Sequence, residues 1–205
     1  MKQALEMLAR LQQGNRRYVA GERRSDIASE TRRSQLVAGQ NPSAIILGCS
    51  DSRVPAELVF DQGVGDLFVI RVAGNIVAPS QVGSVEFAAA TYGTSLVVVL
   101  GHSMCGAILA TLDELAQPTK DQSPNLKSIV NFIRPAVEPL LDDGDDRDAL
   151  VAAAVRANIR ASATHLREGS AILRNLVTQD RLLIVGAEYS LETGVVDFFD
   201  GMPAT

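Results

Sequence analysis

The stretch AIILGCSDSR at residues 44–53 decides the fold, because a short apolar run ends in glycine and ionisable residues follow it at once. A second stretch of the same kind, LVVVLGHSMC, occupies residues 96–105, and similar runs lie at 67–71 and 182–186. Short, continuous apolar runs are typical of parallel strands that are buried on both faces. The four runs therefore predict four parallel strands.

Helix-like stretches lie between the predicted strands and give the chain an α/β pattern. Alternation of strands and helices implies right-handed crossovers around a central, mostly parallel sheet. A last apolar run at 195–199 follows a glycine-containing turn closely enough to form an antiparallel edge strand. We interpret the acidic run at 142–146 as a loop before a helix N-terminus, where negative charge is favourable. The predicted helices cover residues 80–92, 105–115, roughly 125–141, 148–167 and 169–178.

Length and composition favour a single soluble domain. The chain has 205 residues, of which 46% are hydrophobic and 21% are charged, and its net charge is −5. An acidic balance argues against a nucleic-acid partner, whose binding needs a basic surface. No apolar run approaches the ~20 residues that span a bilayer, and Glu6 and Arg10 interrupt the region where a signal peptide would be apolar. We therefore expect no membrane partner and a cytoplasmic location.

The N-terminal segment, residues 1–34, differs from the rest of the chain in charge, with eight basic and four acidic side chains. Leu5, Leu8 and Leu11 predict one apolar face of an amphipathic helix, and an arginine-rich stretch follows it. Such a segment can bind nucleic acid or a membrane, or can simply be solvated. Its acids and its lack of interleaved aromatics favour a helical arm that clasps the acidic body of a partner subunit. Residues 35–205 then form the α/β domain.

Both cysteines and one of the two histidines follow directly on predicted strands. Cys49 comes after the run at 44–48, and His102 and Cys105 come after the run that ends at Gly101. Ligands of open α/β sheets bind beyond the carboxyl ends of the strands, so two adjacent loops would bring the three side chains together. Two cysteines and a histidine suit Zn²⁺ and leave its fourth position open, as in catalytic sites. Inert buried cysteines are the alternative, but they do not explain this placement, and a CxxC redox pair is absent.

Asp51 and Arg53 lie two and four residues after Cys49. Two thiolates cancel the charge of zinc, so the metal acidifies its water less than with three neutral histidines, and a positioned acceptor would help. We expect Asp51 to accept a hydrogen bond from that water while Arg53 holds Asp51 in a bidentate bond. With Arg53 released, Asp51 could become a fourth zinc ligand and close the site. The alternative is a surface ion pair of little energetic value.

Three motifs resemble the β-class carbonic anhydrases: CSDSRV at 49–54, RVAGN at 71–75 and GHSMCGA at 101–107. The similarity runs over nearly the whole chain. It implies one Zn²⁺ per subunit, held by the two cysteines and the histidine, with Asp51 and Arg53 as the catalytic dyad. It also implies hydration of CO₂ to bicarbonate and a homodimer, often doubled to a homotetramer, with the active sites at the interface and N-terminal helices wrapped over the neighbour.

The resemblance assigns further positions to the substrate site. Gln40 matches a glutamine that donates a hydrogen bond to substrate across the interface, although its surroundings are also typical of a turn. Phe68 and Phe87 match aromatic pocket walls, although either also fits a plain core position. Ala73 stands where many members carry valine, which predicts a roomier pocket. The Gly106 amide, at the start of a predicted helix, could face an anionic substrate.

Two other functions stay open at this point. Hydrolysis of carbonyl sulfide or carbon disulfide would use the same ligands, since both molecules are linear analogues of CO₂. A non-catalytic zinc-folded protein would keep its site closed by Asp51, but it would need neither Arg53 nor Gln40. Those two residues favour an enzyme.

Some β-class enzymes carry an inhibitory bicarbonate site built from a tryptophan, an arginine and a tyrosine. Arg71 and Tyr189 match two of these positions, but the third is Ile46 and the chain has no tryptophan. Isoleucine cannot donate the hydrogen bond that an indole N–H provides. We therefore expect no cooperative inhibition by bicarbonate.

Overall fold

A five-stranded sheet organises the computed structural model, which describes residues 1–119, 121, 123–141 and 146–203. The strand order is β2-β1-β3-β4-β5; the first four strands run parallel, and β5 pairs with β4 in the antiparallel direction. The sheet confirms the predicted α/β fold, including the antiparallel edge strand. Its strands are β1 Ala44–Gly48, β2 Leu67–Arg71, β3 Leu96–His102, β4 Leu183–Tyr189 and β5 Val196–Asp200.

All five predicted helices are present, with ends that differ by a few residues. The helix expected over 125–141 ends at Val137 and continues as a short 3₁₀ turn, because Pro139 lacks the N–H that an α-helix needs and its ring clashes with the preceding turn. Two short helices, α2 and α3, were not predicted. The helices are α1 Lys2–Ala20, α2 Glu30–Gln35, α3 Ala56–Val59, α4 Pro79–Tyr92, α5 Gly106–Ala116, α6 Pro124–Val137, α7 Arg147–Glu168 and α8 Ala171–Thr178, with 3₁₀ turns at Ala73–Asn75 and Glu138–Leu140.

Helices cover both faces of the sheet, and each face has its own apolar cluster. One cluster joins the sheet to α4, α5, α6, α7 and α8 and contains both cysteines. The other joins the opposite face to α1 and α3. Every residue of β1 and β3 is buried, whereas β2 lies at the edge of the sheet and is only partly covered. The central strands are therefore enclosed on both faces, and the loops that follow their carboxyl ends start from the middle of the sheet.

The N-terminal segment packs against the body of its own chain. Leu8 and Leu11 of α1 are buried as predicted, but Leu5 is 38% exposed, so its assignment to the apolar face was wrong; Ala4 and Met7 take that place. The segment's positive charge is matched within the same chain: Arg10 and Arg32 pair with Asp66, and Arg17 pairs with Asp61. The clasp over a partner subunit stays a prediction.

The packing of α1 can be tested with two leucines of the same helix. Leu11→Ala should lower the free energy of unfolding by about 2–5 kcal/mol, because the truncated side chain leaves a cavity in the core. Leu5→Ala removes the same atoms from an exposed position and should cost about 0.5 kcal/mol or less. Urea unfolding followed by circular dichroism measures both values. Equal losses for the two variants would contradict the packing described.

Among the described residues, no helix is both long enough and apolar enough to cross a membrane. The loop predicted at 142–146 lies outside the described residues except for Asp146, which is the N-cap residue of α7.

Candidate metal centre

The predicted metal ligands meet at the carboxyl ends of β1 and β3. Cys49 directly follows β1, His102 is the last residue of β3, and Cys105 is the N-cap residue of α5. The two strands are parallel neighbours, with Gly48 opposite Leu100, so the loops that follow them start side by side. One ligand atom from each of the three residues lies within 4.8 Å of the others, and the two sulfurs are 3.9 Å apart. All three side chains are buried.

The histidine is oriented for a metal. Its Nδ1 lies 2.9 Å from the Ser103 carbonyl oxygen, so this nitrogen takes the role of donor and leaves Nε2 as an acceptor. Among the described residues, the buried Nε2 has no hydrogen-bond partner. A buried, unpaired nitrogen beside two sulfurs is costly unless something occupies the space between them. The residues present therefore fit a metal ion.

The two thiols differ in how readily they lose a proton. The hydrogen bond from Cys105 is the largest effect that lowers the pKa of Cys49, against the opposing effect of burial. The same contact with Cys49, together with burial, raises the pKa of Cys105. Two thiolates this close repel each other, so the second proton leaves only when a cation compensates the charge. A divalent ion would supply that compensation, because metals bind cysteine as thiolate.

Arg53 holds Asp51 beside the three candidate ligands, Cys49, His102 and Cys105. The guanidinium donates from Nε to Oδ1 at 2.9 Å and from Nη2 to Oδ2 at 2.7 Å, and the Arg53 backbone N–H also donates to Oδ1. These bonds are the main cause of the lowered pKa of Asp51, which is therefore ionised at neutral pH. Asp51 Oδ2 lies 3.8 Å from Nε2 of His102. The Asp51 carboxylate therefore lies next to the candidate ligands, and the Arg53 guanidinium balances its negative charge.

Arg71 and Tyr189 are engaged in contacts of their own. Arg71 donates from Nε to the Cys49 carbonyl at 3.0 Å and from Nη2 to the Asp51 carbonyl at 2.5 Å. The hydroxyl of Tyr189 lies 3.1 Å from that of Tyr18, and burial is the first cause that raises its pKa to about 12. Arg71 thus fastens the loop that carries Cys49 and Asp51, and Tyr189 joins α1 to the sheet.

Two of the predicted pocket residues border the metal cluster. Ala73 begins the 3₁₀ turn whose next residue, Gly74, donates its N–H to Cys49 Sγ at 3.4 Å. Gly106 is exposed and opens α5 directly after Cys105. The space beside its Cα is open, since a Cβ placed there would have no other atom within 4 Å. Both residues are therefore close in the chain to groups of the candidate metal site, and their role toward a substrate stays a prediction.

Gln40, Phe68 and Phe87 lie together in another part of the subunit. Gln40 donates to the Tyr92 hydroxyl at 2.9 Å, and the rings of Phe68, Phe87 and Tyr92 pack with centroids 5.6–6.3 Å apart. Gln40 precedes β1 and Cys49 follows it, so the length of the strand separates them. The structure does not bring Gln40 to the metal cluster of its own subunit. Its predicted role requires a second copy of the chain.

The sequence alone did not identify Gly74 as a donor to sulfur. A signal was available in the RVAGN motif, because Gly-Asn is a pair that favours left-handed backbone conformations. Gly74 and Asn75 both have positive φ, at +68° and +43°. That local geometry turns the Gly74 N–H toward Cys49.

The fold and the three side chains define an α/β protein with a group of candidate metal ligands at the carboxyl ends of its strands. The family model for carbonic anhydrase matches residues 44–196. Carbonic anhydrase 2 of Mycobacterium tuberculosis is 36% identical over 184 residues, which cover 90% of this chain and 87% of that relative. The carbonic anhydrase of Mycolicibacterium smegmatis is 36% identical over 191 residues, with 91% and 89% covered.

Solved structures agree with the sequence matches. The β-carbonic anhydrase CcaA superposes with a TM-score of 0.76 at 27% identity, over 97% of this chain and 93% of that one. The Coccomyxa β-carbonic anhydrase has a TM-score of 0.73 at 24% identity, over 85% and 81%, and shows the same fold. The chain belongs to the β-carbonic anhydrase family, as its motifs predicted.

Proposed function

We propose that this protein is a cytoplasmic, zinc-dependent enzyme that interconverts CO₂ and bicarbonate. The observation that carries the proposal is the meeting of Cys49, His102 and Cys105 beside an Asp51–Arg53 pair. Family membership supports the reaction, and the donor set supports the metal, because two sulfurs and one imidazole suit zinc and leave a fourth position open. A purely structural zinc site would not need a charged pair at its opening.

The chain's own residues account for orientation and charge. When bound, zinc acidifies a water molecule and so provides a nucleophile at neutral pH. Asp51 accepts a hydrogen bond from the attacking water and orients it, while Arg53 keeps the carboxylate ionised and turned toward the cluster. The small Ala73 side chain leaves room for CO₂, and the Gly106 amide, at a helix N-terminus, favours the negative charge of bicarbonate. The released proton passes to buffer.

A comparison of two substrates tests the proposed reaction against its nearest rival. Stopped-flow CO₂ hydration and sulfide release from carbonyl sulfide or carbon disulfide are measured on one zinc-loaded preparation. We expect efficient CO₂ hydration and little sulfide release. Efficient sulfide release with poor CO₂ hydration would assign the site to the other substrates.

We also propose a homodimer, in which Gln40, Phe68 and Phe87 complete the partner's substrate pocket. Two features support it: β2 is a partly covered edge strand, and Phe87 is 51% exposed. Such a surface is typical of a contact between subunits. A homotetramer formed from two such dimers remains a prediction.

Mixed dimers test whether Gln40 acts across the interface. Gln40→Ala and Asp51→Asn are each expected to lose activity when pure. A mixed dimer contains one subunit of each variant. If Gln40 acts across the interface, one of its two sites has both Gln40 and Asp51 intact. Since about half of randomly mixed dimers are of this kind, the mixture should recover about a quarter of wild-type activity. No recovery in mixed dimers, or an active monomer in analytical ultracentrifugation, would contradict the proposal.

Bicarbonate should not inhibit cooperatively at a second site. Ile46 cannot donate the hydrogen bond that the inhibitory site needs. The other two matched side chains already have partners within the chain, because Arg71 donates to two carbonyls and Tyr189 contacts Tyr18. These contacts support the prediction. Initial rates near pH 7.5 are titrated with bicarbonate. We expect simple product inhibition. A sigmoidal curve that Arg71→Ala makes hyperbolic would show that the site exists.

A further inference from the structure

Two buried polar residues of α7 contact the turn that faces the metal ligands. Asn158 donates from Nδ2 to the Gly74 carbonyl at 2.8 Å, and Ser162 donates from Oγ to the Asn75 carbonyl at 3.0 Å. The two donors are four residues apart and so share one face of the helix. Asn158 is 2% exposed and Ser162 5% exposed. The Asn158 amide N–H and the Ser162 hydroxyl thus both donate to this one turn.

The turn they hold has little freedom and an unusual backbone. Gly74 and Asn75 both adopt positive φ, which for asparagine is uncommon outside turns that are held by their surroundings. A Cβ on Gly74 would come within 2.8 Å of Ile133 Cδ1 and 3.1 Å of Ala107 Cβ. The turn is thus wedged between α5 and α6 and tied from α7.

The contacts that hold the turn also fix the direction of the Gly74 N–H. It donates to Cys49 Sγ at 3.4 Å, where the sulfur is buried among apolar side chains. A hydrogen bond to a metal-binding sulfur draws electron density away from it and fixes its position, and partners of this kind tune metal sites.

We infer that Asn158 and Ser162 are positioning residues of the metal centre: they hold the 73–75 turn so that the Gly74 N–H meets the Cys49 sulfur. They touch neither substrate nor metal and act through Gly74. The inference rests on the metal site proposed above. Helix α7 supplies no metal ligand, but through this turn it influences the electron density on the Cys49 sulfur.

Cobalt substitution gives a readout that a general loss of stability would not move. In Co²⁺-loaded protein, the thiolate-to-cobalt charge-transfer band reports electron density at sulfur. Asn158→Ala should shift this band to longer wavelength, because sulfur that has lost its donor gives up an electron more easily. Competition with a chromophoric chelator should show zinc affinity about 10-fold weaker, the loss typical of removing an outer-shell partner. Ser162→Ala should change both quantities in the same direction, but less.

Two controls sharpen the test. Ser162→Thr keeps the hydroxyl and should restore wild-type values, and Thr164→Ala, on the exposed side of α7, should leave them unchanged. Wild-type band and affinity in folded Asn158→Ala and Ser162→Ala would overturn the inference, as would weaker binding without a band shift. If Asn158→Ala does not fold, the pair Ser162→Ala and Ser162→Thr decides. Wild-type protein without any thiolate–cobalt band would instead refute the metal site itself.

Discussion

Alanine in place of His102 or Cys105 should abolish tight zinc binding and reduce CO₂ hydration to the uncatalysed rate. Each residue is predicted to supply one of three permanent protein ligands, and the remaining two should bind a divalent ion far more weakly. Without the metal, no group in the cluster can acidify water to a nucleophile at neutral pH. The effect is therefore all-or-none rather than partial.

The chain provides a matched control for the histidine. His165, the second of its two histidines, is exposed on α7, and His165→Ala should keep full zinc content and activity. Zinc is measured by plasma mass spectrometry and hydration by stopped flow on the same samples. A Cys105→Ala protein with stoichiometric zinc and a normal rate would show that the ligands are wrongly assigned.

Asp51→Asn should leave zinc bound but lower CO₂ hydration by about 10²–10⁴-fold, the range typical of a lost group in proton transfer. The amide keeps the shape of the side chain but lacks the charge that makes Asp51 a strong acceptor for water. Asp113→Asn breaks another aspartate–arginine pair, with Arg147, at an exposed site and should have no effect. Full activity of Asp51→Asn would remove Asp51 from the mechanism.

Arg53→Ala tests the other half of the pair. Arg53 provides both side-chain hydrogen bonds that orient Asp51, and Asp51 Oδ2 is already 3.8 Å from Nε2 of His102. Released from Arg53, Asp51 should turn onto the metal and close the site, so zinc content should persist while activity falls. A crystal structure of zinc-loaded Arg53→Ala with Asp51 away from the metal, and a normal rate, would contradict the gating role.

The sequence predicted the sheet well because its signal is strong and local. The runs at β1 and β3 are continuously apolar, and strands buried on both faces require that pattern. The meeting of Cys49, His102 and Cys105 followed from one assumption, that these two strands are neighbours. The error at Leu5 came from helix spacing, which fixes a face but not its edges: Leu5 lies at the border of the stripe that contains Leu8 and Leu11.

Other features of the structure could not be predicted from the amino-acid sequence alone. The short helices α2 and α3 have too few residues to show periodicity. The position of Gln40 depends on tertiary contacts with Tyr92, and its predicted role depends on a second subunit. Asn158 and Ser162 fall within the buried stripe of α7, on the same face as Val155, Ile159 and Leu166. Polar residues in such a stripe need buried partners, but the sequence does not say that the partners are carbonyls of the turn at Gly74.

Removal and return of the metal test the central claim most directly. CO₂ hydration is measured between pH 6.5 and 9 on a single preparation: as purified, after removal of zinc by a chelator, and after one equivalent of zinc is restored. We predict loss of hydration with the metal, recovery at one zinc per chain, and no recovery in Cys105→Ala treated in the same way. Hydration that persists without metal, or zinc-loaded protein that does not hydrate CO₂, would contradict the account.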